Sequence, residues 1–123
     1  MKLKDLLIVD DEKRFADMLA KRLCLRGFHS DVCHNGKQAI ELVRRKRFFT
    51  ILLDLQLPDI YGFEVLKEIR SASKTTPVII ITGHGTEKDR QACLQQGAYA
   101  FMHKPVGIDK LISIFAQIEK AAP

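Results

Sequence analysis

Short apolar runs alternate along this chain with longer stretches in which apolar residues recur every three or four positions. The runs predict strands at Leu3–Val9, Phe28–Cys33, Ile51–Leu53, Val78–Thr82 and Tyr99–Met102, and the helical spacing predicts helices over Lys13–Arg26, Lys37–Lys46, Gly62–Arg70, Glu87–Gln96 and Ile108–Lys120. In the first helix Phe15, Met18, Leu19 and Leu23 make one apolar face; in the last, Ile108, Leu111, Ile112 and Phe115 repeat at the same interval, with Ile114 and Ile118 widening the stripe toward a possible interface. The fourth helix is weaker, because Gln91, Gln95 and Gln96 dilute the stripe around Ala92 and Leu94. Five strands each followed by a helix imply an α/β fold: a five-stranded parallel sheet, doubly wound, with helices on both faces. The unbroken "VIII" at 78–81 suits a sheet covered on both sides.

At 123 residues the chain has the size of one domain, and no linker or repeat divides it. The apolar run after the basic start ends at Asp10, too short for a signal peptide or a membrane span, so the expectation is a cytoplasmic protein with no membrane partner. Cys24, Cys33 and Cys93 lack metal-ligand spacing and are odd in number, which favours free, mostly buried thiols. The net charge of +5 lies wholly in residues 1–50, with 12 Lys or Arg against 7 Asp or Glu. Its densest point, "RRKRFF" at 44–49, could meet nucleic acid; it also suits a helix C-terminus, whose dipole favours cations, and no other nucleic-acid module accompanies it. Nucleic-acid binding by this domain alone is therefore not expected.

The candidate chemistry comes from "LLIVDDE" at 6–12, where a core segment runs straight into carboxylates that repel one another. Ligands of open α/β sheets bind beyond the carboxyl ends of the strands. Asp10 and Asp11 follow the first strand, Asp54 the third, Thr82, Gly83 and His84 the end of the fourth, and His103 and Lys104 the fifth. Three carboxylates, a hydroxyl and an ammonium converging on one edge suit a divalent cation together with a phosphoryl group. Singly, each residue has a plainer role: Asp10 or Asp11 as a helix N-cap, Asp54 in a turn, Thr82 satisfying its own backbone, Lys104 in water.

With these residues placed, the whole chain closely resembles the receiver domains of bacterial two-component response regulators, through "IVDDE", "LLDLQLPDIYGFEVL", "IIITGHG" and "GAYAFMHKP". The resemblance implies the flavodoxin-like (βα)5 receiver fold and a single receiver domain over 1–123. It implies that Asp54 accepts a phosphoryl group from a phosphohistidine of a sensor histidine kinase or phosphotransfer protein. Mg²⁺ or Mn²⁺ would be bound by Asp11, Asp54 and the backbone carbonyl of Gln56, with Asp10 assisting. Lys104 and Thr82 would contact the phosphoryl oxygens, and Phe101 would turn inward as Thr82 moves. Gln56 and His84 would tune the lifetime of the acyl phosphate. The fourth helix, fifth strand and fifth helix would carry the output to an output domain or target protein in transcription regulation, and a homodimer could form there. Ala100 stands where many relatives have an acidic residue, which weakens the case for a charge-paired dimer face. The phrases "TGHG" and "GAY" look more like receivers of nitrogen-regulatory activators. A haloacid-dehalogenase-type phosphatase is the rival enzyme reading, but it needs a second Asp where this chain has Gln56. A degenerate receiver that signals by binding alone is the other rival.

Overall fold

A computed structural model describes residues 4–121. The chain runs β1 (Lys4–Val9), α1 (Lys13–Cys24), β2 (Phe28–Cys33), α2 (Gly36–Arg45), β3 (Thr50–Leu53), α3 (Gly62–Ala72), β4 (Val78–Thr82), α4 (Glu87–Gln95), β5 (Ala100–His103) and α5 (Ile108–Ala121). All strand pairs are parallel, in the order β2-β1-β3-β4-β5. The expected elements are all present; Leu3, predicted to open the first strand, lies outside the described residues.

The period of two along each strand divides the core in two. Leu7 and Val9 of β1 face Ala39 of α2, Val65, Leu66 and Ile69 of α3 and Cys93 of α4. Leu6 and Ile8 face Ala16, Leu19 and Leu23 of α1 and Leu111, Phe115 and Ile118 of α5. Phe28, Phe49 and Phe115 close the second layer, the Phe28 and Phe115 rings 4.9 Å apart. Ile118 is core and Ile114 is half-buried against the same layer.

Several boundaries shift for local reasons. β5 is displaced by one residue from its expected start: Tyr99 is exposed, although its N–H still bonds to the Val78 carbonyl. The first helix stops at Cys24 because Leu25, Arg26 and Gly27 form a turn, with Gly27 at φ 90°. All three cysteines are free, and two of them, Cys33 and Cys93, are buried, in line with the expected mostly buried set; Cys24 is exposed. The "RRKRFF" segment is largely structural. Arg44 and Arg45 close α2, Lys46 bonds to Asp31 at 2.9 Å, and Phe48 and Phe49 turn into the two core layers.

Candidate functional site

Parallel strands in one sheet bring their carboxyl ends to one edge, and there the chain makes three turns of one kind. The Glu12 N–H donates to Asp10 Oδ1 (2.9 Å), the Gln56 N–H to Asp54 Oδ1 (3.2 Å) and the His84 N–H to Thr82 Oγ1 (3.4 Å). In each case a polar side chain at the strand's end (Thr82) or one residue past it (Asp10, Asp54) accepts from the backbone N–H two residues on, which fixes that side chain's direction. The N-cap of α1 is Glu12, with no side-chain cap bond, so neither Asp10 nor Asp11 caps that helix. Asp10 is instead free to point its other oxygen inward.

The inward oxygens meet Lys104. Its Nζ lies 2.8 Å from Asp10 Oδ2, 3.0 Å from Asp54 Oδ2 and 2.5 Å from Glu12 Oε1. Asp10, Asp54 and Thr82 are only 2%, 5% and 0% exposed. Lys104 directly follows β5, its N–H bonded to the Thr82 carbonyl at the end of β4, and its ammonium lies over the Phe15 ring. Burial pushes the Asp10 carboxyl above its ordinary value, only partly offset by the bonds from Lys104 and the Glu12 N–H. Burial pulls Lys104 down, but its bonds to Asp10, Glu12 and Asp54 outweigh this and hold it well above the usual lysine range.

The third strand depends on a glycine. Gly62, first residue of α3, donates to the Leu55 carbonyl at 2.7 Å, and a Cβ there would stand 2.4 Å from the Asp54 carbonyl oxygen. Only a residue without a side chain lets α3 begin against the backbone of Asp54. Asp59, in the same loop, accepts from the Gly36 and Lys37 N–H groups and so ties the loop to the start of α2.

The structure thus brings Asp10, Asp54, Lys104 and Thr82 to one edge as the pattern predicts. Asp11 is exposed and stands beside Gln56, Leu57 and Pro58 in a cleft at the rim. Gln56 and His84 are exposed, their backbones holding Asp54 and Thr82. Phe101 is half-buried against the first core layer. Glu12 is the residue the sequence reading assigned no role: its carboxylate closes a group with Asp10 and Asp54 whose ligand atoms all lie within 4.8 Å of one another. Its signal was its place one residue past the acidic pair, at the mouth of α1. A separate cleft of 540 Å³, lined by Arg44, Arg45, Arg47 and the turn before β4, lies at the opposite end of the sheet.

A 2-1-3-4-5 parallel sheet carrying buried carboxylates and one shared lysine at its carboxyl edge defines a receiver-type α/β domain. The sequence agrees: residues 6–116 match the response regulator receiver domain family, and the chain belongs to it. It is 35% identical over 108 residues to the transcriptional regulatory protein CusR of Escherichia coli K12, covering 88% of this chain. The chain spans 48% of the length of that relative. Among solved structures it resembles the receiver domain of the sensor histidine kinase PA1611 of Pseudomonas aeruginosa, which has a magnesium ion coordinated in its active site cleft. There the TM-score is 0.88 at 26% identity, over 97% of this chain and 99% of that one. It also resembles the beryllofluoride-activated NtrC4 receiver domain dimer, with TM-score 0.90 at 29% identity, over 99% and 100% of the two chains.

Proposed function

We propose that this receiver domain is a phosphorylation-dependent signalling switch in which Asp54 takes a phosphoryl group from a phosphohistidine of a sensor histidine kinase or a phosphotransfer protein. The observation that carries this reading is the position of Asp54: nearly buried at a strand end, one oxygen held by a backbone N–H and the other 3.0 Å from the Lys104 ammonium. A carboxylate oxygen attacks phosphorus as the P–N bond to the imidazole breaks, and the imidazole leaves with the electron pair. Lys104 offsets the repulsion between the carboxylate and the phosphoryl oxygens. Thr82, within reach of the same edge, donates its hydroxyl to the bound phosphoryl group. Gln56 and His84 flank the approach of water and set how long the acyl phosphate lasts.

The pocket suits a divalent cation, because Asp10, Glu12 and Asp54 place three carboxylates against one ammonium. Mg²⁺ or Mn²⁺ held by Asp54, Asp10, Asp11 and the Gln56 carbonyl would supply charge neutralisation at the phosphoryl oxygens. Glu12 is a further carboxylate available to it. The readout falls on α4, β5 and α5, with Phe101 following Thr82. Through that face the domain acts on an output domain or target protein in transcription regulation, and a second copy could pair there.

The test is intact mass after incubation with acetyl phosphate, with Mg²⁺ or with EDTA, on the wild type and on Asp54→Asn. One phosphoryl adduct that needs Mg²⁺ and is lost in Asp54→Asn is expected. No adduct, with donor hydrolysis excluded, would favour a degenerate receiver that signals by binding alone.

A further inference from the structure

Beyond Thr82 the chain turns through Gly83, His84, Gly85 and Thr86 before α4 begins at Glu87. Two side chains of β5 hold this turn. His103 Nε2 lies 3.1 Å from the Gly85 carbonyl oxygen; a carbonyl can only accept, so the imidazole carries its proton on Nε2 and donates. Phe101, two residues earlier on the same face of the strand, lays its ring on Gly85 itself. A Cβ at Gly85 would stand 2.3 Å from Phe101 Cζ and 2.9 Å from Thr82 Cγ2. The two rings of β5 meet edge to face, their centroids 5.4 Å apart at 73°. Thr82 is itself the register partner of His103. Turn, aromatic ring and imidazole therefore form one packed unit next to the hydroxyl that the switch uses.

Among the described residues, the His103 bond is the only hydrogen bond joining Gly83–Gly85 to another strand. Gly83 and His84 are exposed, and the bond from the His84 N–H to Thr82 is long at 3.4 Å. We infer that His103 is a positioning residue, a latch that holds the β4–α4 turn on β5 in the resting state and must release Gly85 before Thr82 and the turn can close on a phosphoryl group at Asp54. This inference rests on the switch reading above. Gly85 serves both positions of the turn: without a side chain it lies under the Phe101 ring, and it can slide out without a clash. His103 is exposed, so its removal leaves the core layers intact.

The test compares wild type, His103→Ala and His103→Gln, whose amide nitrogen can still donate to Gly85. Each is titrated with beryllium fluoride in the presence of Mg²⁺ and followed by ¹⁵N NMR; amide exchange at residues 83–86 is measured without any ligand. The latch predicts that His103→Ala exchanges several-fold faster across the turn and binds beryllofluoride about three- to tenfold more tightly, as loss of one resting-state hydrogen bond implies. His103→Gln should restore both values toward the wild type. Equal exchange in His103→Ala and wild type overturns the latch, and so does faster exchange with unchanged beryllofluoride affinity. A wild type that binds no beryllofluoride overturns the switch at Asp54 and with it the release step, while faster exchange in His103→Ala would then still show that His103 holds the turn.

Discussion

Among the described residues Lys104 is the single cation shared by Asp10, Glu12 and Asp54, and two of those carboxylates are almost wholly out of water. Removing one partner of a buried ion pair is far costlier than removing both, because the remaining charge keeps its desolvation penalty. Lys104→Ala should therefore lower stability in urea by about 3–5 kcal/mol at neutral pH without divalent cations. The pH sense follows from Asp10, whose pKa is raised by burial from 3.8. Its contribution to stability is full below that value and is lost as pH rises through the higher folded value. Without the Lys104 bond the Asp10 carboxyl rises further, so the deficit of the variant should shrink as pH falls toward about 4. A deficit that stays constant from pH 4 to 7 would show that the lysine matters for packing alone. Gly62 offers a sharper test of backbone sterics. Gly62→Ala puts a methyl 2.4 Å from the Asp54 carbonyl oxygen and 2.5 Å from Leu55 Cα, both backbone atoms with no rotamer to yield. Thermal or urea unfolding should register a loss of about 1–3 kcal/mol, and on the proposed reading phosphoryl uptake at Asp54 should slow with it. The places of Asp10, Asp54, Thr82 and Lys104 at one edge were legible in the sequence because each ends an apolar run or follows it within two residues. Glu12 and Asp59 were not, since their roles depend on where a helix begins rather than on where a strand stops.

Among the elements, α4 differs in kind. It buries only Cys93, whereas α3 buries Gly62, Val65, Leu66 and Ile69. Its N-terminus relies on a reciprocal cap: the Asp89 N–H donates to Thr86 Oγ1 at 3.1 Å and the Thr86 N–H to Asp89 Oδ2 at 2.9 Å. The bond donated by the Thr86 N–H, helped by the Thr86 side chain, holds the Asp89 carboxyl below its ordinary value of 3.8. A depressed carboxyl contributes stability above its unfolded pKa and loses it as pH falls through the folded one. Below about pH 3.8 the first turn of α4 should therefore fray while α3 stays protected. Amide shifts and exchange at Asp89 and Arg90, followed by NMR from pH 6 to 3, would register this. Thr86→Ala should produce the same local loosening at neutral pH, at a cost of about 1 kcal/mol; α4 exchange that ignores both changes would rule out the cap as its anchor. The sequence exposed this weakness through the glutamines, because periodicity measures how much apolar surface a helix can bury. It missed the one-residue shift of β5 and the early stop of α1, because the turns at Gly97 and Gly27 set those positions locally. Both glycines sit at positive φ, which apolar patterning does not report.

Across the whole molecule, stability is graded along the sheet. The centre is held from both faces: β1 and β3 are flanked by strands on each side, and their residues Leu6–Val9 and Ile51–Leu53 are at most 2% exposed. The β5 end is an edge, and α4, with its one buried side chain, packs near it. Local opening follows such gradients, and the elements that move in a switch come from the weaker end. On the proposed reading, a phosphoryl mimic at Asp54 would meet Thr82 and Lys104, which lead directly into the turn at 83–86 and out of β5, so its effect should travel toward the weak edge. The β1–β2 side is also an edge, but there Lys46 bonds to Asp31 and Phe28 packs on Phe115. Hydrogen–deuterium exchange by mass spectrometry, with and without beryllofluoride and Mg²⁺, should change more than about twofold in peptides spanning 83–103. Peptides spanning 4–9 and 28–33 should stay within error. A uniform change would indicate global stabilisation by ligand binding, which raises protection wherever exchange requires complete unfolding. A change confined to 83–103 would place the output at the α4–β5 end, where the fold holds its elements least tightly.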